Sequence, residues 1–175
     1  LVMTAAAAVG DKSFSITLGN TAATEDQYAE GYIGINDGAG EGHLYKIRQH
    51  DAIGSGGTGT INLSDGDTVS EATTTSSLAG LHKHPYKDII VYPTTTSGFC
   101  VGVAAAEIAA SSYGWFQTWG LGMVLCDVAF VPGNHIRVSD NTAGSAEPLD
   151  RDATNENDEE IGVAALIAPV STDYG

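Results

Sequence analysis

The sequence predicts an all-β protein built from short strands, arranged as a sandwich or as one or more small barrels. Glycine makes up 22 of the 175 residues, about twice the usual share of ~7%. Short segments alternate apolar and polar residues, and turn residues separate them at regular spacing. Lysine and glutamate, which favour helices, are scarce. Strands joined by tight turns therefore explain the composition better than helices do.

The first predicted strand is amphipathic, because Phe14, Ile16 and Leu18 fall on one face of an extended chain. Asn36, Asp37 and Gly38 tolerate positive φ and predict a hairpin between the second and third strands. The predicted strands of this half are residues 11–18, 30–36, 43–48, 58–63 and 87–92. The last is an unbroken Ile-Ile-Val run, which predicts a strand buried on both faces.

Shorter strands are predicted in the second half, at residues 99–104, 113–119, 123–128, 135–138 and 161–167. Residues 104–110 are rich in alanine, so a single helical turn is the alternative there. Pro93 and a Thr-rich linker predict the boundary between two lobes. The predicted organisation is an N-terminal arm with the first strand (1–20), a β lobe (21–98) and a C-terminal barrel-like lobe (99–175).

The net charge of the chain argues against some classes of binding partner. The 7 Lys and Arg against 22 Asp and Glu give a formal net charge of -15. Binding to phosphates through counterion release is therefore a poor expectation, which argues against nucleic acid and anionic membranes. No apolar run reaches the roughly 18 residues of a membrane helix. No basic stretch precedes the apolar residues of segment 1–10, so we expect no signal peptide there, although a leader removed upstream stays open.

The cysteines, histidines and acidic residues of the sequence do not form the spacing patterns of known metal sites. Cys100 and Cys126 each lie in an apolar run, which predicts buried thiols rather than a disulfide. His82 and His84 could hold a metal with a third ligand, but two solvated loop histidines are the simpler expectation. The acidic stretch 147–160 offers oxygen ligands for Ca²⁺, yet its spacing does not match an EF-hand loop, so a solvated loop is expected. We therefore predict no metal, no cofactor and no catalytic residue.

The densest aromatic patch lies at residues 113–119. On a strand, Tyr113, Trp115 and Trp119 would share one face. An exposed face could stack on sugar rings or anchor a protein interface, whereas a buried face is core. Core is the favoured interpretation, because a chain with 7% aromatic residues needs its few large side chains for the interior.

A series of short β motifs, found in the same order, covers most of the chain. These are Glu30-Gly31-Tyr32, Asn36-Asp37-Gly38, Glu41-Gly42, Tyr45-Lys46-Ile47, His84-Pro85-Tyr86-Lys87, Val91-Tyr92-Pro93-Thr94, Val101-Gly102-Val103, Tyr113-Gly114-Trp115, Gln117-Thr118-Trp119-Gly120 and Glu160-Ile161-Gly162-Val163. In their order and joint presence they resemble a family of tailed-phage virion proteins called decoration, cement or head structural proteins. Phe116 and the His-rich segment 81–84 depart from that pattern.

The resemblance implies a β-rich, non-enzymatic module on the capsid surface of a bacteriophage virion. Such a module binds the major capsid protein at symmetry axes, often as a homotrimer, and locks neighbouring subunits together. Segment 1–10 would serve as an extended arm over a neighbour. The resulting interface candidates are Leu1, Val2, Met3, Val9, Tyr113, Trp115 and Trp119.

Two other classes of protein stay open. In a secreted carbohydrate-binding β-module, Tyr113, Trp115 and Trp119 would form a sugar platform. A glycan-degrading enzyme would need a cleft with paired acids, and the sequence offers many acids with nothing to choose between them. An exposed planar row of the three rings would favour the sugar platform, whereas a buried face would favour the capsid protein.

Overall fold

The computed structural model describes residues 1–95, 97–149 and 159–165. Within these residues the chain has eleven β-strands and no helix, which confirms the predicted all-β class. The alternative helical turn at residues 104–110 does not form. The chain divides into two compact units, Leu1–Lys87 and Asp88–Gly175, so the division comes before the predicted linker rather than after residue 98.

The N-terminal unit is a closed six-stranded barrel in which every neighbouring pair is antiparallel. Its strands are β1 (Val2–Met3), β2 (Ser13–Thr17), β3 (Tyr32–Asp37), β4 (Leu44–Gln49), β5 (Thr58–Leu63) and β6 (Leu78–His82). They follow the order β1-β2-β5-β4-β3-β6, and β1 closes the barrel by also pairing with β6. The predicted hairpin joins β3 to β4, and Gly38 in its turn has a φ of 84°.

Apolar side chains that alternate along the strands fill the interior of the barrel. Fifteen apolar side chains form one buried cluster: Met3, Ala7, Phe14, Ile16, Leu18, Ala23, Ile33, Ile35, Tyr45, Ile47, Ile53, Ile61, Leu63, Val69 and Ala79. The rings of Phe14 and Tyr45 lie 5.2 Å apart, in a tilted arrangement. Complete burial of a Phe or Ile side chain contributes about 1.5–3 kcal/mol. The barrel therefore holds a core of its own.

Residues 1–10 do not form the predicted arm. Val2–Met3 pairs with both β2 and β6, and the Leu1 nitrogen donates to the carbonyl oxygen of Ala79 at 2.9 Å. Met3 is only 1% exposed and belongs to the core. The prediction of an arm was wrong because the segment does not need enough bulk for a separate core. The segment instead supplies the sixth strand of the barrel and adds Met3 to the core that the other five strands form.

The predicted strand at residues 87–92 is also absent. Asp88 has a φ of 57°, a left-handed conformation that interrupts an extended strand. Ile90 and Val91 are exposed rather than buried on two faces. The strand that completes this part of the barrel is β6, whose sequence of Leu, Ala, Gly and His carries no β-branched or aromatic residue.

The C-terminal unit contains two small sheets within its described residues. One has the order β10-β9-β11 and the other pairs β7 with β8. The strands are β7 (Val103–Ala104), β8 (Phe116–Gln117), β9 (His135–Val138), β10 (Ala146–Pro148) and β11 (Glu160–Val163). Strand β9 agrees with its prediction, whereas the strand predicted at 123–128 is reduced to isolated bridge residues at Leu125 and Cys126, of which Cys126 pairs with Ala146.

Candidate functional site

The candidate site lies on the hairpin formed by β7 and β8. Val103 pairs with Gln117 and Ala104 with Phe116, so only two residues of the predicted strand 113–119 join a ladder. Tyr113 and Trp115 come before β8, and Trp119 follows it. The regular alternation that would place their rings on one strand face therefore does not extend through this segment.

All three rings are exposed. Trp115 is 87% exposed, Trp119 is 92% exposed and Tyr113 is fully exposed. The expectation that they form core was wrong. The Gln117 side chain donates to the carbonyl oxygens of Trp119 (3.2 Å) and Leu121 (2.7 Å). These bonds, with a φ of 96° at Gly120, turn the chain just after β8, so Trp119 lies beyond the end of the strand.

Aliphatic side chains accompany the rings. Within residues 113–123, Leu121 and Met123 are exposed together with Tyr113, Trp115 and Trp119. We call this set the apolar segment. Residues 89–126 contain a single Asp, Glu, Lys or Arg, namely Glu107, in a chain with 29 such residues. An accumulation of exposed apolar side chains marks a place where another molecule binds.

The hydrophobic core of the C-terminal unit is small. The buried cluster of the C-terminal unit has four members, Cys126, Phe130, Ile136 and Ala164, with Val124 and Ile161 packed against it. Eleven large apolar side chains of the described part of this unit are exposed: Ile90, Val91, Phe99, Tyr113, Trp115, Trp119, Leu121, Met123, Val128, Val131 and Val163. The described residues of the unit thus bury fewer large apolar side chains than they expose.

A buried ion pair organises the three-stranded sheet. Arg137 on the central strand has Glu147 opposite it on β10 and Glu160 opposite it on β11. Its guanidinium donates to the Glu147 carboxylate, and to Asp140 at 3.2 Å. Burial raises the pKa of Glu147, while the positive charge of Arg137 acts in the opposite direction. Removing one member of such a pair would leave the other charge buried, so we assign the pair a structural role.

A second polar cluster fixes the loop between β9 and β10. Asp127 accepts hydrogen bonds from the hydroxyls of Thr142 (2.6 Å) and Ser139 (2.8 Å). These bonds lower the pKa of Asp127, most strongly the one from Thr142. The Ser139 hydroxyl also lies 3.2 Å from the Glu147 carboxylate, which links the two clusters.

The lowered pKa of Asp127 predicts sensitivity to acid. The stabilisation is present above the carboxyl's unfolded pKa and is lost as the pH falls through the lowered folded value. We expect β9 to lose amide protection on acidification from about pH 5 to about pH 2, and Asp127→Asn to reduce that loss. Hydrogen exchange at each pH measures it. As a control, Asp65→Asn removes only an exposed pair with Arg48 and should leave the profile unchanged. Equal pH profiles for Asp127→Asn and the parent would contradict the prediction.

The four interface candidates in residues 1–10 differ in their exposure. Met3 is buried and Leu1 is half-buried in the barrel, so neither side chain is presented to a partner. Val2 and Val9 are exposed, on the barrel's outside and in the following turn. Of the seven predicted candidates, Tyr113, Trp115 and Trp119 are therefore the ones that the structure presents most fully.

The remaining predicted groups give no second site. Within residues 1–95, 97–149 and 159–165, no group of three or more His, Cys, Asp or Glu is placed to hold a metal ion. His82 is exposed at the end of β6 and His84 is half-buried in the following turn. Cys100 and Cys126 are thiols, as predicted, but only Cys126 is buried. The acidic stretch 147–160 falls largely outside the described residues, and its member Glu147 is buried beside Arg137.

No described helix is long and apolar enough to cross a membrane. Comparison with known proteins finds no family model that matches, and no curated protein or solved structure that is detectably similar.

Sequence reasoning located the aromatic residues but missed the polar clusters. Arg137 and Glu147 are paired by sheet register, and Asp127 meets Ser139 across a loop. No spacing pattern marks such contacts. The local signals for this sheet are the predicted strands at residues 135–138 and 161–167, which overlap β9 and β11.

Proposed function

We propose that this chain is a virion structural protein of a tailed phage, which binds the outside of the capsid and stabilises contacts between major capsid subunits. The observation that supports this most is the apolar segment, where five large apolar side chains are exposed within eleven residues. Water contact with so much apolar surface is unfavourable, and a protein partner would remove it. On this proposal the protein is located at the capsid surface.

The chemistry of the apolar segment favours a protein partner over a sugar. Sugar rings stack on aromatic planes and need polar side chains to bind their hydroxyl groups. Leu121 and Met123 offer neither, whereas aromatic residues and Met are enriched in protein interfaces. The charge distribution agrees, since charged residues are depleted at interface centres and residues 89–126 carry only Glu107.

Association of copies of the chain is part of the proposal, with a homotrimer favoured. The net charge of -15 would keep free copies apart. The uncharged apolar segment is a place where that repulsion is weakest. A partner with an apolar centre and a basic rim would complement both the segment and the acidic remainder of the molecule. We propose no nucleic-acid or membrane partner, because the same charge opposes both.

We propose no catalysis. The buried acid Glu147 is paired with Arg137, and Asp127 accepts bonds from two hydroxyls of the same unit. Both therefore have structural partners within the unit, and the Ser139 hydroxyl lies within hydrogen-bond distance of both carboxylates. A pair of carboxylates flanking one bond, about 5–10 Å apart, is what glycoside hydrolysis would need.

A secreted carbohydrate-binding module is the second candidate function. Exposure of Tyr113, Trp115 and Trp119 is the observation that favours it, since a sugar platform needs accessible rings. By the criterion of the sequence analysis, exposure of the rings counts toward this candidate, but the alternation that would align them in a row on one strand face does not extend through the segment. Trp and Tyr are also the commonest energetic anchors of protein interfaces. The exposed aliphatic neighbours Leu121 and Met123 support a protein partner, because they offer neither a ring for stacking nor a polar group for sugar hydroxyls.

Two binding measurements separate these candidates. The full chain is added to capsid shells that lack the native copy, and to a panel of immobilised polysaccharides. We expect saturable binding to the shells at a fixed number of copies per shell, and no retention on the polysaccharides. Retention on one polysaccharide without binding to shells would replace the capsid function with the carbohydrate-binding one.

A further inference from the structure

His50 lies just after β4 at one end of the barrel and is only 2% exposed. Both of its ring nitrogens have partners. The backbone nitrogen of Tyr28 lies 3.1 Å from Nε2, and the carbonyl oxygen of Asp51 lies 2.8 Å from Nδ1. A backbone N–H can only donate and a carbonyl oxygen can only accept. Nδ1 therefore carries the proton, Nε2 is the acceptor, and the buried ring is neutral.

This ring holds residues 24–31, which we call the cap segment. The backbone N–H of Asp26 donates to the carbonyl oxygen of His50 (3.0 Å), and the backbone N–H of His50 donates to the Asp26 carboxylate (2.9 Å). Near the C-terminal end of the cap segment, the backbone N–H of Glu30 donates to the carbonyl oxygen of Ile47 (2.9 Å). With the bond from Tyr28, the cap segment is attached to the end of β4 at several points.

The cap segment is also strained. Asp26 has a φ of 54° and Glu30 a φ of 63°, both in the left-handed region that residues with a Cβ rarely adopt. Two such residues within five positions persist only while surrounding bonds hold them. Loss of one of these bonds therefore favours opening of the cap segment over local adjustment.

We propose that His50 is an acid-sensitive latch for the cap segment. A proton added at Nε2 turns the acceptor into a donor, which then faces the Tyr28 N–H. That hydrogen bond cannot survive, and the new charge is buried where the neutral ring was fully bonded. Acidification therefore detaches the cap segment from the end of β4, while the six strands of the barrel stay paired.

Charged and titratable groups lie around His50. The charged side chains next to it are the Asp26 carboxylate, which accepts from the His50 backbone nitrogen, and the Lys87 ammonium, which donates to the Asp26 carbonyl oxygen at 2.5 Å. The Tyr28 ring lies 5.7 Å from the imidazole and contributes no charge at these pH values. The Asp51 side chain is on an exposed residue.

Hydrogen exchange of the whole chain tests the latch. Between about pH 7.5 and about pH 5, where imidazoles titrate, we expect the protection factor of the Tyr28 amide to fall at least about tenfold. Amides of β2 and β5 should keep theirs. In His50→Gln, the side-chain carbonyl can accept from Tyr28 at every pH, so its protection should not change with pH. Unchanged protection in the parent chain, or the same fall in His50→Gln, would overturn the proposal.

Nitrogen-15 spectra of the His50 ring keep the test valid if the variant does not fold. We expect a neutral ring protonated at Nδ1 at about pH 7.5, and a titration whose midpoint coincides with the loss of Tyr28 protection. A ring protonated at Nε2, or a midpoint that differs from that of the cap segment, would contradict the latch.

Discussion

A chain that lacks residues 1–10 should lose a large part of the stability of its barrel. The deletion removes β1, the strand that joins β2 to β6, and with it Met3, which is 1% exposed. Truncating a buried Met alone costs about 2–5 kcal/mol. For a unit of this size we expect the melting temperature to fall by at least about 10 °C, measured by thermal unfolding of the free protein.

A variant at the exposed end of the same segment serves as the control. Val9 is exposed, so Val9→Ala should change the free energy of unfolding by no more than about 0.5 kcal/mol. Met3→Ala should reproduce much of the effect of the deletion. An unchanged barrel after deletion, with reduced occupancy on capsids, would restore the interpretation of this segment as an arm.

Replacing Trp115 and Trp119 with serine should weaken binding to capsid shells at least about 100-fold. Anchor residues of protein interfaces each contribute about 2 kcal/mol or more, and each ~1.4 kcal/mol corresponds to a tenfold change in affinity. Both side chains are exposed in the free chain, so its thermal stability should stay close to that of the parent. Titration of shells with labelled protein measures the affinity.

Tyr86→Ser provides the matched control. Tyr86 is also an exposed aromatic residue, but it lies in the N-terminal unit. We expect it to leave the affinity for shells unchanged. Equal losses from both variants would show that the effect is not specific to the apolar segment, and a loss confined to polysaccharide binding would support the second candidate function.

Strands with local alternation could be predicted from the sequence. Strands β2 to β5 and β9 contain alternating or β-branched residues, and their bounds agree closely with the predictions. Strands β1, β6 and β10 could not be found in this way. Strands β1 and β10 have only two and three residues, too few to show a period, and β6 has no β-branched residue. Strands β1 and β6 are extended because they pair with each other across a long stretch of sequence, Val2 opposite Leu78, and β10 is extended beside β9.

The opposite error occurred at residues 87–92 and at the aromatic patch. An apolar run predicts a buried segment, but burial depends on which other parts of the chain pack against that run. Asp88 breaks the first run, and the turn after Gln117 releases Trp119 from the strand in the second. The identities of the candidate site residues were thus readable from the sequence, whereas their exposure required the fold.

The most direct test of the account is an electron-microscopy reconstruction of capsid shells saturated with the full chain. We predict that the indole rings of Trp115 and Trp119 lie against the shell or against a neighbouring copy. A reconstruction in which the barrel contacts the shell while both indole rings remain in solvent would contradict the proposed docking surface.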